Sequence, residues 1–492
     1  MKHHRGKCLF FVCLLLLTFS FVAREETAAQ SNQLTLEKEQ HWETYRVGGT
    51  CISGTGSNLF VADVDGDGVM EIITGGSTYN LVNGNRTASE APLKIWNWNG
   101  QSITLEKSHK WLGRIRGIYA GNANGDGIIE IITAGSVTNN TGSYAQLRIW
   151  QWNGEELVLK ASYEATTTFS AVSVSDVDGD GAPEIITVGR FYNGTRFSAQ
   201  LCAWRYDGNS LTLKKSVEWS AANATSVNSV YLDDVNDDGV NEIVTGGYAN
   251  TLINSSGQLR IWQWNGEDFS LKVNEEWRLV EGVYGLTIAG NVQGNTIVNN
   301  LKVGDVDGDG TPEIITGGFA YDGEKVNAQL RIWNWNGQTL TLEKSQEWTT
   351  QDVLEVKAIS INDVDGDGRK EIVTSGGSGI EGGFFATTPE LAQLRVWSWD
   401  GTTLTLKQSQ DWYIDEGAMA QNVATGDVDK DGVIEIVTVG CTYLGTLCDP
   451  DMRIWSIAKD LSPFPYALLA AGGIVAAIGL AIVFLLVRKK RQ

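Results

Sequence analysis

The chain is poor in the side chains that carry most thiol and imidazole chemistry, with six cysteines and four histidines in 492 residues. So few thiols exclude a disulfide scaffold. Cys8 and Cys13 fall in an N-terminal apolar run, and Cys51 and Cys202 lie in different repeats, where they read as buried thiols. Cys441 and Cys448 flank a short loop and are spaced to form a disulfide in an oxidising compartment. Beyond the N-terminal run only His41 and His109 remain. There is no G-x-S-x-G nucleophile, no H-E-x-x-H and no catalytic-cysteine context, so catalysis is not expected. Positive charge is scarce too: 38 Lys and Arg against 59 Asp and Glu leave a net charge of −21. That balance excludes a nucleic-acid binder.

Long hydrophobic runs occur only near the two ends. Residues 9–22 are apolar, follow Lys2, Arg5 and Lys7, and precede Ala23, Ala28 and Ala29. Residues 1–29 therefore read as a secretory signal, an uncleaved anchor being the alternative. Residues 466–487 carry no charge and are followed by Arg488, Lys489, Lys490 and Arg491. At ~1.5 Å per residue such a helix spans about 33 Å, enough to cross a membrane with the basic tail, 488–492, in the cytoplasm. Residues 458–465 read as a linker, and 30–457 as an extracellular body held by a single-pass anchor.

That body is one unit written seven times. Acidic loops begin at Asp63, Asn122, Asp176, Asp234, Asp305, Asp363 and Asp427, between 54 and 71 residues apart, the size of one supersecondary element. In the clearest copy, 359–412, an apolar strand A leads into DVDGDGRKE, a β-branched strand B, a loop, LAQLRVWSWDG as strand C, and TLTLKQSQDW as strand D. Pairs such as Asn99-Gly100, Asn336-Gly337 and Asp400-Gly401 predict tight C–D hairpins. Four antiparallel strands repeated radially predict an all-β, seven-bladed β-propeller. The seventh unit stops after strand C at Trp455, while a spare strand D at 33–42 precedes the first. It is expected to complete blade seven and close the ring. All 18 Trp lie in strand C or at the end of strand D, so they are expected to pack between blades, each indole N–H on a local acceptor.

The loop D-x-D-x-D-G-x-x-E offers oxygen donors at positions one, three, five and nine and a carbonyl at seven, a set suited to a hard cation, calcium foremost. Blade one supplies Asp63, Asp65, Asp67, the Val69 carbonyl and Glu71. Blade two supplies Asn122, Asn124, Asp126, Ile128 and Glu130, and blade three Asp176, Asp178, Asp180, Ala182 and Glu184. Blade four supplies Asp234, Asn236, Asp238, Val240 and Glu242, and blade five Asp305, Asp307, Asp309, Thr311 and Glu313. Blade six supplies Asp363, Asp365, Asp367, Arg369 and Glu371, and blade seven Asp427, Asp429, Asp431, Val433 and Glu435. Blade two, with two formal charges, is expected to bind most weakly. Seven Ca²⁺ would add +14 to −21, leaving about −7, an ordinary value for a soluble surface.

The loop and the β run after it resemble the FG-GAP/VCBS repeat, the unit of integrin α-subunit propellers and of many microbial surface proteins. The resemblance covers roughly 33–457 and implies calcium on the A–B loops and recognition on the opposite face. The chain departs from integrin α-subunits in lacking an inserted ligand-binding domain and leg domains. A–B loops and C–D hairpins share one face, which the linker turns toward the membrane; B–C and D–A loops face outward. Sequons at Asn85, Asn139, Asn193, Asn223 and Asn254 fall in outward loops of blades one to four. The least regular outward segments are 279–300, 378–392 with Phe384 and Phe385, and 441–448. With Tyr321, Tyr413, Asp415, Glu416 and Tyr443 they place an expected site for a protein or glycan ligand over blades five to seven. A calcium-dependent polysaccharide lyase or glycoside hydrolase using Asp415, Glu416 or Glu381 is the alternative.

Overall fold

The computed structural model describes residues 33–41, 58–349, 354–378, 391–413 and 418–457, except 79–80, 83–84, 87–88, 140–141, 166, 222, 252–254, 280–285, 289–290, 294–295 and 445–446. The expected signal, linker, anchor and tail, with Cys8, Cys13, Cys51 and Trp42, lie outside the described residues. Among the described residues no helix is long and apolar enough to cross a membrane.

The regular structure described is all β, arranged in four-stranded antiparallel sheets consistent with propeller blades. In unit five, strand A (Thr296–Gly304), strand B (Glu313–Tyr321), strand C (Val326–Trp335) and strand D (Leu340–Trp348) pair in chain order. Burial follows that order. Strand B is covered along almost its whole length and reads as an unbroken Ile-Ile-Thr-Gly-Gly-Phe run, because both of its faces are packed. Strand D is the outer edge, and Thr341, Leu342 and Glu343 are exposed. Units three and four repeat the pattern and are joined by one parallel bridge between Phe197 and Ala224.

The expected C–D hairpins form, closed by turns of four residues. Trp98 pairs with Ile103, leaving four residues in the turn, and only the glycine takes a left-handed angle, φ +78° at Gly100. Asn99 keeps an ordinary φ and works through its side chain, whose Oδ1 accepts the N–H groups of Gln101 (3.1 Å) and Ser102 (2.8 Å).

The spare strand, Leu34–His41, pairs antiparallel with Leu447–Ile457, from Leu34 opposite Ile457 to His41 opposite Asp451. It supplies the fourth strand of the sheet formed with Glu435–Leu444 and Ala418–Gly426.

Tryptophan explains how neighbouring sheets pack. The Trp ending strand D of one unit meets the first Trp of strand C in the next: Trp111 with Trp150, Trp219 with Trp262, Trp277 with Trp333, Trp348 with Trp397 and Trp412 with Trp455, at 5.0 to 5.3 Å between ring centroids. Arginines of strand C cover the same rings, as Arg331 does over Trp277 at 4.9 Å and Arg453 over Trp412 at 4.8 Å. The first Trp of each strand C donates its indole N–H to a strand-B threonine, as Trp333 does to Thr316 at 3.0 Å. The second does not: Trp98, Trp152, Trp264, Trp335 and Trp399 have buried indole nitrogens without a partner, so the expectation that every indole finds an acceptor holds for only part of the set. These rings face the neighbouring unit's acidic loop, which presents an apolar residue rather than an acceptor.

That residue is loop position two. Val64 packs in one cluster with Trp150 and Trp152, Val177 with Trp262 and Trp264, Val306 with Trp397 and Trp399, and Val364 with Trp455. Val428 of the last unit packs with Trp96 and Trp98 of the first. Asn422 Nδ2 also donates to Asn58 Oδ1 at 3.0 Å between the same two units.

Candidate metal loops

Every acidic loop joins strand A to strand B and is built by the same local hydrogen bonds. The position-nine glutamate, at most 3 % exposed in all seven units, turns Oε2 onto the position-two N–H. The position-five aspartate accepts the position-seven N–H, as Asp67 does from Val69 at 2.7 Å and Asp309 from Thr311 at 2.7 Å. In the six units with aspartate at position one, that side chain accepts the N–H of position six, as Asp305 Oδ2 does from Gly310 at 3.1 Å. Position six is left-handed throughout, as expected for its glycine. Position four is left-handed as well: Gly in most units, but Asp237 (φ +58°) and Lys430 (φ +63°) in units four and seven.

These turns draw acids together. In units one, three, five, six and seven, position one, position three and position nine bring carboxylate oxygens within 4.8 Å of one another, sets that could hold a metal ion. Burial pushes Glu71, Glu313, Glu371 and Glu435 up to about 8, and neighbouring aspartates push the same way. Asp363 Oδ1 and Asp427 Oδ1 are buried without a partner. An orphaned buried carboxylate oxygen lacks the donor or cation that normally offsets its desolvation, so the residues present fit an oxygen-seeking cation. Unit two brings only Asp126 and Glu130 as acids, and Asn124 Nδ2 bonds Asp126 Oδ2 at 3.0 Å. In unit four Glu242 Oε1 is held by two amides, Asn236 Nδ2 at 3.0 Å and Gln263 Nε2 at 2.8 Å.

Position three reaches the next unit. A Cβ at Gly266 would lie 2.9 Å from Asp178 Oδ2, and one at Gly401 would lie 2.9 Å from Asp307 Oδ2. Acidic loops and C–D turns therefore share one end of the sheets, as topology required.

Two further positions face the loops and escaped the sequence reading. One is the residue after the first tryptophan of strand C, which includes Gln263 and Arg205. The other follows L-T-L in strand D. Glu106 is raised by burial and by Asp65 and Asp67, Glu343 by burial and by Asp307 and Asp309, and Glu37 raises Asp429 and Glu435. Units two, three, four and six carry lysine there (Lys160, Lys214, Lys272 and Lys407), with Lys160 acting on Glu130 and Lys407 on Asp365. A charge on an outer strand looks solvated in sequence. The clue was that the position changes sign between otherwise identical repeats.

At the opposite end, Tyr321 closes strand B of unit five with its hydroxyl on the Gly323 carbonyl at 2.8 Å, and Tyr413 is 67 % exposed beyond strand D of unit six (Leu404–Trp412). Phe384, Phe385, Asp415, Glu416 and Glu381 lie outside the described residues, as do the side chains of Tyr443, Cys441 and Cys448. The backbone of the last two is described: Cys441 opposes Pro450 and Cys448 opposes Tyr443. Cys202 is a buried free thiol. Asn193 and Asn223 are exposed, Asn85 and Asn139 fall in strands, and Asn254 lies outside the described residues. Sequence reasoning passed over Tyr192 and Phe197, exposed rings 5.1 Å apart at that end, with Arg190 4.7 Å from Phe197.

Four-stranded sheets, each with an oxygen-rich turn between its first two strands, are consistent with the blades of a propeller-type repeat protein with candidate cation loops. The chain carries FG-GAP-like repeats, that family matching residues 122–187 and 305–374, each stretch running from one acidic loop through the next. No curated protein matches the sequence. Among solved structures the chain is similar to Chaetomium thermophilum Sqt1, with 11% identity over 85% of this chain and 99% of that one, at a TM-score of 0.44.

Proposed function

We propose that this chain is a seven-bladed propeller, stiffened by calcium and displayed outside the cell by a C-terminal membrane anchor, that recognises a protein or glycan through the face opposite its acidic loops. The observation that carries the reading is that the loop hydrogen bonds recur in all seven units at one end of the sheets, leaving the other end to variable segments. The packing of Val428 against Trp98 supports closure of the ring between last and first units. Calcium would be held by the acids at positions one, three, five and nine with the position-seven carbonyl. Bound there, it neutralises carboxylates that otherwise repel and ties strand A to strand B. Exposed Tyr192, Phe197 and Tyr413 suit stacking against a sugar face or an apolar peptide side chain. Localisation rests on residues 1–29 and 466–491. Binding without turnover is favoured because the abundant carboxylates are engaged in their own turns.

The test is to array the secreted body, 30–457, on glycan and surface-protein panels in calcium and in chelator. Saturable binding that weakens in chelator, with no product formed, supports the reading. Cleavage of a glycan would replace it with the lyase or hydrolase.

A further inference from the structure

In unit three the acidic loop is already closed, by a cation that belongs to the chain. Arg205 stands between Trp204 and Tyr206 on strand C (Phe197–Tyr206), where the other units carry Asn97, Gln151, Gln263, Asn334, Ser398 and Ser456. It is the charged member of that set. Its Nη1 donates to Glu184 Oε1 at 2.6 Å and to the Ala182 carbonyl at 2.7 Å. The same guanidinium reaches Asp180, Nη1 to Oδ1 at 3.5 Å and Nη2 to Oδ2 at 3.4 Å. These are the donors of positions five, seven and nine, three of the five that an ion in this loop would need.

We infer that unit three takes no divalent ion: Arg205 is its resident cation, and the loop is a latch that works without metal. A guanidinium keeps its charge at any physiological pH and presents several donors in one plane, which suits two carboxylates and a carbonyl. An ion entering the same space would meet that charge at contact distance and lose three donors. Lys214 lines the same cavity of about 260 Å³ and adds to the repulsion. The sister loops have only neutral side chains at the Arg205 position, so no guanidinium from strand C claims their donors. The ring would then contain one seam that survives calcium withdrawal.

This inference rests on the calcium reading of the sister loops, and the experiment separates the two. Bound calcium per chain is counted by native mass spectrometry for the wild type, Arg205→Asn and Arg205→Asn/Glu184→Gln. Asparagine is chosen because units one and five carry it at this position. Arg205→Asn is expected to hold one more ion than the wild type, and the double variant to return to the wild-type count. Equal counts for the wild type and Arg205→Asn overturn the proposal. The wild-type count alone decides the sister loops, and a count of zero there overturns the calcium reading. Hydrogen exchange on the wild type gives a second measure that needs no variant. On chelation, residues 176–184 are expected to keep their protection while residues 305–313 lose theirs. Equal loss in both segments overturns the proposal.

Discussion

The guanidinium of Arg453 lies 2.6 Å from the carboxylate of Glu39, which precedes it by 414 residues. The same guanidinium donates through Nε to Asp451 at 3.1 Å. Burial pushes Asp451 up to about 6, with Arg453 pulling it back down. Arg453→Met removes that partner and leaves a buried acid, which is expected to cost about 3–5 kcal/mol in urea melts. Adding Asp451→Asn should recover part of the loss. A double variant as unstable as Arg453→Met would show that the ion pair is not what Arg453 contributes.

Without metal, the loop glutamates make stability fall as pH rises. Glu71, Glu313, Glu371 and Glu435 stand near 8 in the fold against an ordinary 4.5, so the native state holds more protons than the unfolded chain between those values. Their contribution is full below pH 4.5 and is lost as pH rises through 8. In chelator the melting temperature is expected to drop from pH 5 to pH 8, and saturating calcium should flatten that slope. Calcium uptake at pH 7 should release protons, visible by calorimetry in buffers of different ionisation enthalpy. A level profile in chelator would contradict the burial of these acids.

The strand-D residue beside each loop is expected to grade ion affinity. Glu343→Lys places a positive charge where Asp307 and Asp309 now act on a carboxylate. It should weaken calcium binding to unit five at least tenfold, about 1.4 kcal/mol. Lys407→Glu should strengthen unit six by a similar factor. Titration of each variant decides this, and unchanged affinity in both would separate strand D from the site.

Lys302 lines a cavity of about 290 Å³ with Tyr231, Asp233 and Lys370, its amine 5.0 Å from the Tyr231 ring. Burial pulls the amine down to about 8 from 10.5. The unfolded chain therefore binds the extra proton between pH 8 and 10.5, and stability should rise with pH across that window. Lys302→Met is expected to raise the melting temperature at pH 7 and to reduce that rise. A lower melting temperature would mean that the amine has a stabilising role.

The strands, their order, the acidic loops and the spare strand were legible because each is a pattern repeated at regular spacing, and repetition averages away local accident. Glu39 and Arg453 were not legible as a pair, since pairing across the whole chain leaves no local trace. Nothing local in the sequence marks Arg205, Glu106 and Glu343 as loop contacts, and only three-dimensional packing turns them toward a loop. The indoles of Trp98 and Trp335 were assigned acceptors by a general rule, whereas Val428 and Val235, packed in the same clusters, have no oxygen in their side chains to offer.

Joining Leu34–His41 to Leu447–Ile457 sets an order of events during translation. The earlier strand leaves the ribosome more than 400 residues before its mate and must wait, unpaired, while sheet after sheet assembles behind it. A sticky strand would recruit neighbouring nascent chains in that interval. Glu37, Lys38 and Glu39 make this one poorly suited to such contacts, and its sheet can close only once Leu447–Ile457 has been made.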